Sequence, residues 1–182
     1  MNKKVYVVTG PIGSGKSTAI HYLKNKGFKT VDLDEVSNNI LTSKQSVNFL
    51  KEEFPKALVN DVVDRSLLAQ IVFNNKDKFL ILENYLHPKV FYELQNIIQN
   101  TDDDLFVEVS APKNIYKDFD CIVIFADAET RMKRLLERGM DNEDIINRMG
   151  NQKDDNWWKN LGIVIQNNDL NEMQIKLDKL FE

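Results

Sequence analysis

Cysteine is nearly missing from the 182-residue chain: Cys121 stands alone. A single thiol excludes a disulfide framework and a cysteine-built metal site, and it suits a reducing cytosol. Long apolar runs are missing too. VYVV and CIVIFA fall far short of the ~20 residues a membrane span requires. The chain passes from MNKK straight into apolar residues, without a leader-like segment. No membrane partner and a cytoplasmic location are therefore expected. Positive charge is also short, with a formal net charge of −4. Such a chain lacks the overall field that draws nucleic acid, so no nucleic-acid partner is expected. A local basic patch for a small anion remains open. Arginine is scarce, five against 19 lysines, while asparagine and isoleucine abound. That is the mark of AT-rich coding, and it makes each arginine worth locating.

What is present is ordinary for one globular α/β domain: 42% apolar and 29% charged residues. Residues 5–8 read as a buried strand. A helix over 17–26 stops at Gly27. Residues 28–34 read as a second strand ending in Asp32 and Asp34. Residues 35–54 look helical up to Pro55, and 64–73 form a helix capped by Asp64. Over 76–99 the apolar period is helical, with a break expected at Pro88, after His87. Strands follow at 105–110, 121–126 and within 161–168. Between and after the last two come helices stopped by Gly139, capped at Asp141 or Asn142, and closing the chain. Alternating strands and helices predict a five-stranded, mostly parallel sheet flanked by helices. The helical section between strands two and three exceeds a simple crossover and predicts a subdomain. No strong self-association signal stands out, so the oligomeric state stays open, with a monomer the simpler expectation.

The stretch TGPIGSGKST carries the chemistry. It follows an apolar strand, precedes a helix, and reads G-x-x-x-x-G-K-S from Gly10 to Ser17. Its glycines let backbone N–H groups curl around phosphate oxygens at a helix N-terminus. Pro11, Ile12, Gly13, Ser14, Gly15, Lys16, Ser17 and Thr18 form this cradle. Lys16 is placed for the β- and γ-phosphates of ATP, and the Ser17 hydroxyl for Mg²⁺. The chain has no D-x-x-G, and NQKD at 151–154 has the wrong order for a guanine motif. Those absences argue against a GTPase and for a small P-loop kinase.

A kinase needs a carboxylate near its acceptor hydroxyl. If Asp34 ends strand two, it lies on the ligand-binding rim and shares a strand face with Asp32. The alternative is a capping role at the next helix. Glu108 reads equally as a group on the Mg²⁺ water shell or as a surface residue. Four of the five arginines, Arg131, Arg134, Arg138 and Arg148, fall within 18 residues of sequence. The first three share a helical face. Arginine suits bidentate phosphate contacts, often from a mobile lid. Arg134, Arg138 and Arg148 are the candidates, and Arg131 is expected to be merely exposed. Arg65 opens a helix, where a cation opposes the dipole, and so hints at an anionic ligand. His87 either satisfies local backbone groups or lines an acceptor pocket. Trp157 and Trp158 are either core residues or a cover for a ligand.

These pieces are similar, in order and spacing, to the dephospho-CoA kinase family. The resemblance rests on TGPIGSGKST, KGFKTVDLDEVS, VDRSLLAQIVFNN, NYLHP, ETRMKRLLERG and NRMGNQ. It implies a P-loop kinase fold that uses ATP and Mg²⁺ to phosphorylate the ribose 3′-hydroxyl of dephospho-CoA, the last step of coenzyme A synthesis. It implies a core (1–34 and 105–182), a helical CoA-binding subdomain (about 35–104) and a lid (about 131–150). By resemblance, Lys16, Asp34 and Arg138 are catalytic. Arg138 and Arg148 face ATP, and Arg65 and His87 lie near the acceptor. Three segments depart from the family pattern. EVSAPKNIY (108–116) replaces P-L-L-F-E, Gln166 replaces an aspartate in the last strand, and Pro11 replaces a glycine. Two alternatives stay in play: another nucleoside or nucleotide kinase of this fold, and a nucleotide-binding protein with weakened catalysis, which the altered segments 108–116 and 161–168 keep alive.

Overall fold

The computed structural model describes residues 3–112 and 117–181. Its strands are β1 Val5–Thr9, β2 Lys29–Asp32, β3 Leu58–Val59, β4 Val62–Val63, β5 Leu105–Glu108, β6 Asp120–Phe125 and β7 Ile163–Gln166. Its helices are α1 Lys16–Asn25, α2 Leu33–Thr42, α3 Lys44–Glu53, α4 Arg65–Phe73, α5 Lys76–Gln99, α6 Ala128–Glu137, α7 Asn142–Gly150, α8 Asp155–Lys159 and α9 Leu170–Phe181. A 3₁₀ turn, Pro55–Ala57, follows α3. The chain forms two compact units, Met1–Asp32 with Thr101–Glu182, and Leu33–Asn100.

The first unit holds a five-stranded sheet in the order β2-β5-β1-β6-β7. Every pairing in it is parallel. β5 and β6 are apolar on both faces, as strands covered on both sides must be. On one side, Tyr6, Phe106, Ile122 and Ile165 of the sheet pack against Ile20 and Leu23 of α1 and Met173 and Leu177 of α9. Tyr6 stacks on Phe106 at 5.1 Å, and Phe181 meets Phe106 edge-on at 4.8 Å. Such pairs add to plain burial. Cys121 is buried in β6, and burial pushes its thiol up to about 12, so it serves as a core residue. The strand order puts β1 in the middle: the chain runs from β1 to the β2 edge and back through β5, then crosses to β6 and β7 on the other side. In open α/β sheets, ligands bind beyond the carboxyl ends of the strands at such a reversal.

Several helix starts are set by short polar caps. The carboxylates of Asp64, Asp127, Asp141 and Asp154 accept N–H groups of the first turns of α4, α6, α7 and α8. Two expected helices change shape. The helix expected over 35–54 is divided at Ser43, whose extended backbone caps α3. The hydroxyls of Ser43 and Ser46 both donate to the Ile40 carbonyl at 2.7 Å, offering it a partner other than the helix ladder. Conversely, the break expected at Pro88 does not occur, and α5 runs unbroken through it. Proline removes one helical donor and crowds one turn. Here both halves of α5 are pinned by burial, through Leu82 and Leu94.

The second unit packs Leu41, Leu50, Phe54, Ala57, Leu68 and Leu82 into a core of its own. It also holds the antiparallel β3–β4 pair, which the sequence reading missed. Its turn uses Asn60 (φ 52°) and Asp61 (φ 62°), residue types that tolerate the left-handed region a tight hairpin requires. The short helix α8 was also missed.

Candidate active site

At the carboxyl end of β1, the buried Thr9 hydroxyl donates to the Val109 carbonyl at 2.7 Å, tying β1 to the end of β5. The loop then turns through Pro11–Ser14, where the Ser14 N–H donates to the Pro11 carbonyl at 3.2 Å. Gly13 takes φ 78°, as the third residue of a type II turn must. A Cβ there would stand 2.9 Å from the Arg131 carbonyl. The Lys16 ammonium donates back to the Gly10 and Pro11 carbonyls at 3.0 and 3.4 Å. The Ile12 N–H is held by the Gln152 side-chain oxygen at 2.9 Å. α1 begins at Lys16 with no acid in its first turn. Its positive end is thus left for an outside anion.

Beside the loop, the Ser17 hydroxyl donates to the Glu108 carboxylate at 2.8 Å. Glu108 is 7% exposed, so its reading as a surface residue is overturned. Its place as the last residue of β5, next to central β1, buries it. Asp32 pairs with Glu108 in register, which sets two carboxylates on neighbouring strand ends. A hydroxyl against a buried carboxylate is a hard-oxygen set of the kind Mg²⁺ takes, its remaining positions being filled by water and phosphate. The residues present therefore fit that ion.

The arginines part company. Arg131, expected to be exposed, is 5% exposed. Its guanidinium pairs with Asp155 at 3.1 Å and lies over the Phe125 ring. Burial lowers its pKa, and Asp155 opposes that. A residue one helical turn from Arg134 was turned inward because α8, which carries Asp155, closes over it. Arg134 and Arg138 instead line a cleft of about 320 Å³ with Gly15, Thr18 and Asn167. Arg134 also reaches the Ser14 carbonyl at 3.5 Å. Arg148 is exposed and engages Asp144, one turn back on α7, at 2.9 Å. Trp158 is core, with its ring N–H on the Lys153 carbonyl, and Trp157 stands edge-on to it.

The other candidates lie in the helical unit. Asp34 does not end a strand: β2 stops at Asp32, and Asp34 sits in the first turn of α2. The shared strand face with Asp32 therefore falls away. The helix starts early because Leu33 turns in to be buried. Arg65 is the first residue of α4, directly after its cap, and His87 precedes Pro88 within α5. All three side chains face solvent. α2, α3 and α5 also border a cavity of about 720 Å³, lined by Asn39, Ile40, Ser46, Tyr85 and Tyr92 among others. Of the departing segment 108–116, residues 113–116 lie outside the described residues.

Two residues of the loop's surroundings went unassigned by sequence reasoning. Gln152 carried a signal, as the end of the quoted NRMGNQ. Asn167, which is buried and hydrogen-bonded to Ser14, carried one as well, as the asparagine after Gln166 in LGIVIQNN.

The model of the dephospho-CoA kinase family matches residues 5–172. A dephospho-CoA kinase of Fusobacterium nucleatum is 29% identical over all of this chain and 99% of its own. The Helicobacter pylori one is 32% identical over 84% of this chain and 82% of its own. A solved dephospho-CoA kinase from Campylobacter jejuni superposes with a TM-score of 0.68 at 27% identity, covering all of this chain and 97% of that one. A Thermus thermophilus structure reaches a TM-score of 0.90 at the same identity and coverage. Shikimate kinase from Acinetobacter baumannii, 13% identical over 98% of this chain and 93% of its own, shares the fold alone, at a TM-score of 0.54. With its glycine loop at the sheet's carboxyl edge and a family match that spans nearly all of it, the chain belongs to the dephospho-CoA kinase family.

Proposed function

We propose that the chain transfers the γ-phosphoryl group of ATP to the ribose 3′-hydroxyl of dephospho-CoA, giving coenzyme A and ADP. The observation that carries this reading is the glycine loop itself. Lys16 and an acid-free helix start stand at the end of a central parallel strand, in a chain of that family. The 3′-oxygen bonds to the γ-phosphorus as the bond from that phosphorus to the β–γ bridging oxygen breaks. ADP leaves with the bridging oxygen, and the hydroxyl proton passes to the Asp34 carboxylate. Backbone N–H groups of residues 13 and 15–18 hold the phosphates, and Lys16 leaves its carbonyl partners to meet the β- and γ-oxygens. Ser17 with Glu108 would hold Mg²⁺, which would supply neutralisation of phosphate charge there. Arg138 and Arg148, within a lid over 131–150, face ATP and exclude water. The helical unit takes the acceptor, with Arg65 and His87 beside it. The lone buried thiol and a helix set without a membrane-crossing member among the described residues support a cytoplasmic enzyme.

ADP release with Mg-ATP tests this reading. Dephospho-CoA should support turnover, while nucleosides, nucleoside monophosphates and a blank without acceptor should not. Turnover with another acceptor alone would reassign the substrate. ATP binding without turnover on any acceptor would leave a nucleotide-binding protein.

A further inference from the structure

Asn167 follows β7 and is 3% exposed. Its backbone N–H donates to the Phe125 carbonyl at 2.7 Å, which anchors it to the end of β6. Its side-chain Nδ2 donates to the Ser14 carbonyl at 2.7 Å, across 153 residues of sequence. Its Oδ1 is buried without a hydrogen-bond partner. A residue kept only to fill space would be apolar, because an unsatisfied buried acceptor is costly. Gly15 explains the fit. It takes φ 92°, and a Cβ on it would collide with the Asn167 amide, so the loop's last glycine makes room for this side chain.

The Ser14 carbonyl and the Gly15 N–H belong to one peptide unit. No described peptide bond is cis, and in a planar trans unit the C=O and N–H point in opposite directions. Fixing the carbonyl therefore aims the N–H. Arg134 donates to the same carbonyl from another side at 3.5 Å. Among the described residues no acceptor meets the Gly15 N–H.

We propose that Asn167 is a positioning residue for phosphate binding: it clamps the Ser14 carbonyl so that the Gly15 N–H is aimed into the loop before nucleotide arrives. The inference rests on the reading of the glycine loop as the phosphate site. Its contribution appears wherever phosphate is bound and is absent for a ligand held by its base alone.

The test measures affinity for ADP and for adenosine in the full chain and in Asn167→Ala, together with the Gly15 amide resonance of the nucleotide-free proteins. ADP affinity should fall about tenfold, as for the loss of one aligned hydrogen bond. Adenosine affinity should hold, and the Gly15 resonance should move. Asn167→Leu keeps the bulk without the donor and should behave alike, which covers an alanine variant that fails to fold. Unchanged ADP affinity in a folded variant overturns the proposal. So does an equal loss for adenosine, which would mean contact with the base. Failure of the parent chain to bind ADP would sink the phosphate-site reading itself, and this inference with it.

Discussion

In the proposed reaction Lys16 and Asp34 act in unlike ways, and substitution separates them. Lys16→Ala removes a cation from the transferring group and should lower kcat/KM at least ~100-fold, the scale for a lost charge-stabilising donor. Asp34→Asn removes the proposed proton acceptor and should lower kcat by ~100-fold or more with ATP affinity retained. Near-normal turnover in Asp34→Asn would leave Asp34 as a helix-start acid and nothing more. Arg131 makes a structural prediction. It is buried against Phe125 with Asp155 as its partner. Asp155→Ala should cost about 2 kcal/mol, because a buried guanidinium loses its counter-charge. In a chain of this size that lowers the melting temperature by ~4–8 °C. An unchanged melting temperature would mean that solvent already balances Arg131. The sequence marked Arg131 as a residue but not as a buried one. A helical face is legible from spacing, whereas the neighbour covering it, α8, arrives from a separate segment.

Caps and cross-helix ties give the elements their dependence on pH. The Asp127 carboxyl, at the start of α6, is held below its ordinary 3.8, chiefly by the Thr130 N–H. Asp178 is held below 3.8, chiefly by the Tyr22 hydroxyl, which joins α1 to α9. A carboxyl lowered in the folded state binds its proton more readily when unfolded. Its stabilisation is complete above the unfolded value near 4 and disappears as pH falls through the lower folded value. The melting temperature should therefore drop below about pH 4. In the double variant Asp127→Asn, Asp178→Asn that drop should be shallower, and an equally steep fall would place the acid sensitivity elsewhere. At this scale the glycine stops, the Asp64 and Asp141 caps and the strand cores were all legible, because they rest on neighbours within a few residues. The split at Ser43 and the continuity through Pro88 were not. Each is a contest between local propensity and burial, and burial is a property of the assembled unit.

For the whole molecule, nucleotide binding at the loop should appear as stability, since a ligand that binds only the folded chain shifts the equilibrium by mass action. With Mg-ADP at 100 times its Kd the gain is about 2.7 kcal/mol, a rise of ~5–10 °C. Lys16→Ala should lose most of that rise. A full rise in that variant would move the phosphate contact away from Lys16. By itself, the sequence determined the α/β class, the five strands, the glycine loop and the family. These are written in contiguous patterns: a short apolar run, a spacing of glycines, a cap followed by a period of 3.6. Only the tertiary structure decided that Glu108 is buried against Ser17, that Arg131 faces inward, that Asp34 belongs to a helix, and that Gln152 and Asn167 reach the loop. Those contacts join residues as many as 153 positions apart. No local period encodes such a meeting. It exists only once parallel pairing has brought the ends of β1, β5, β6 and β7 to one edge of the sheet.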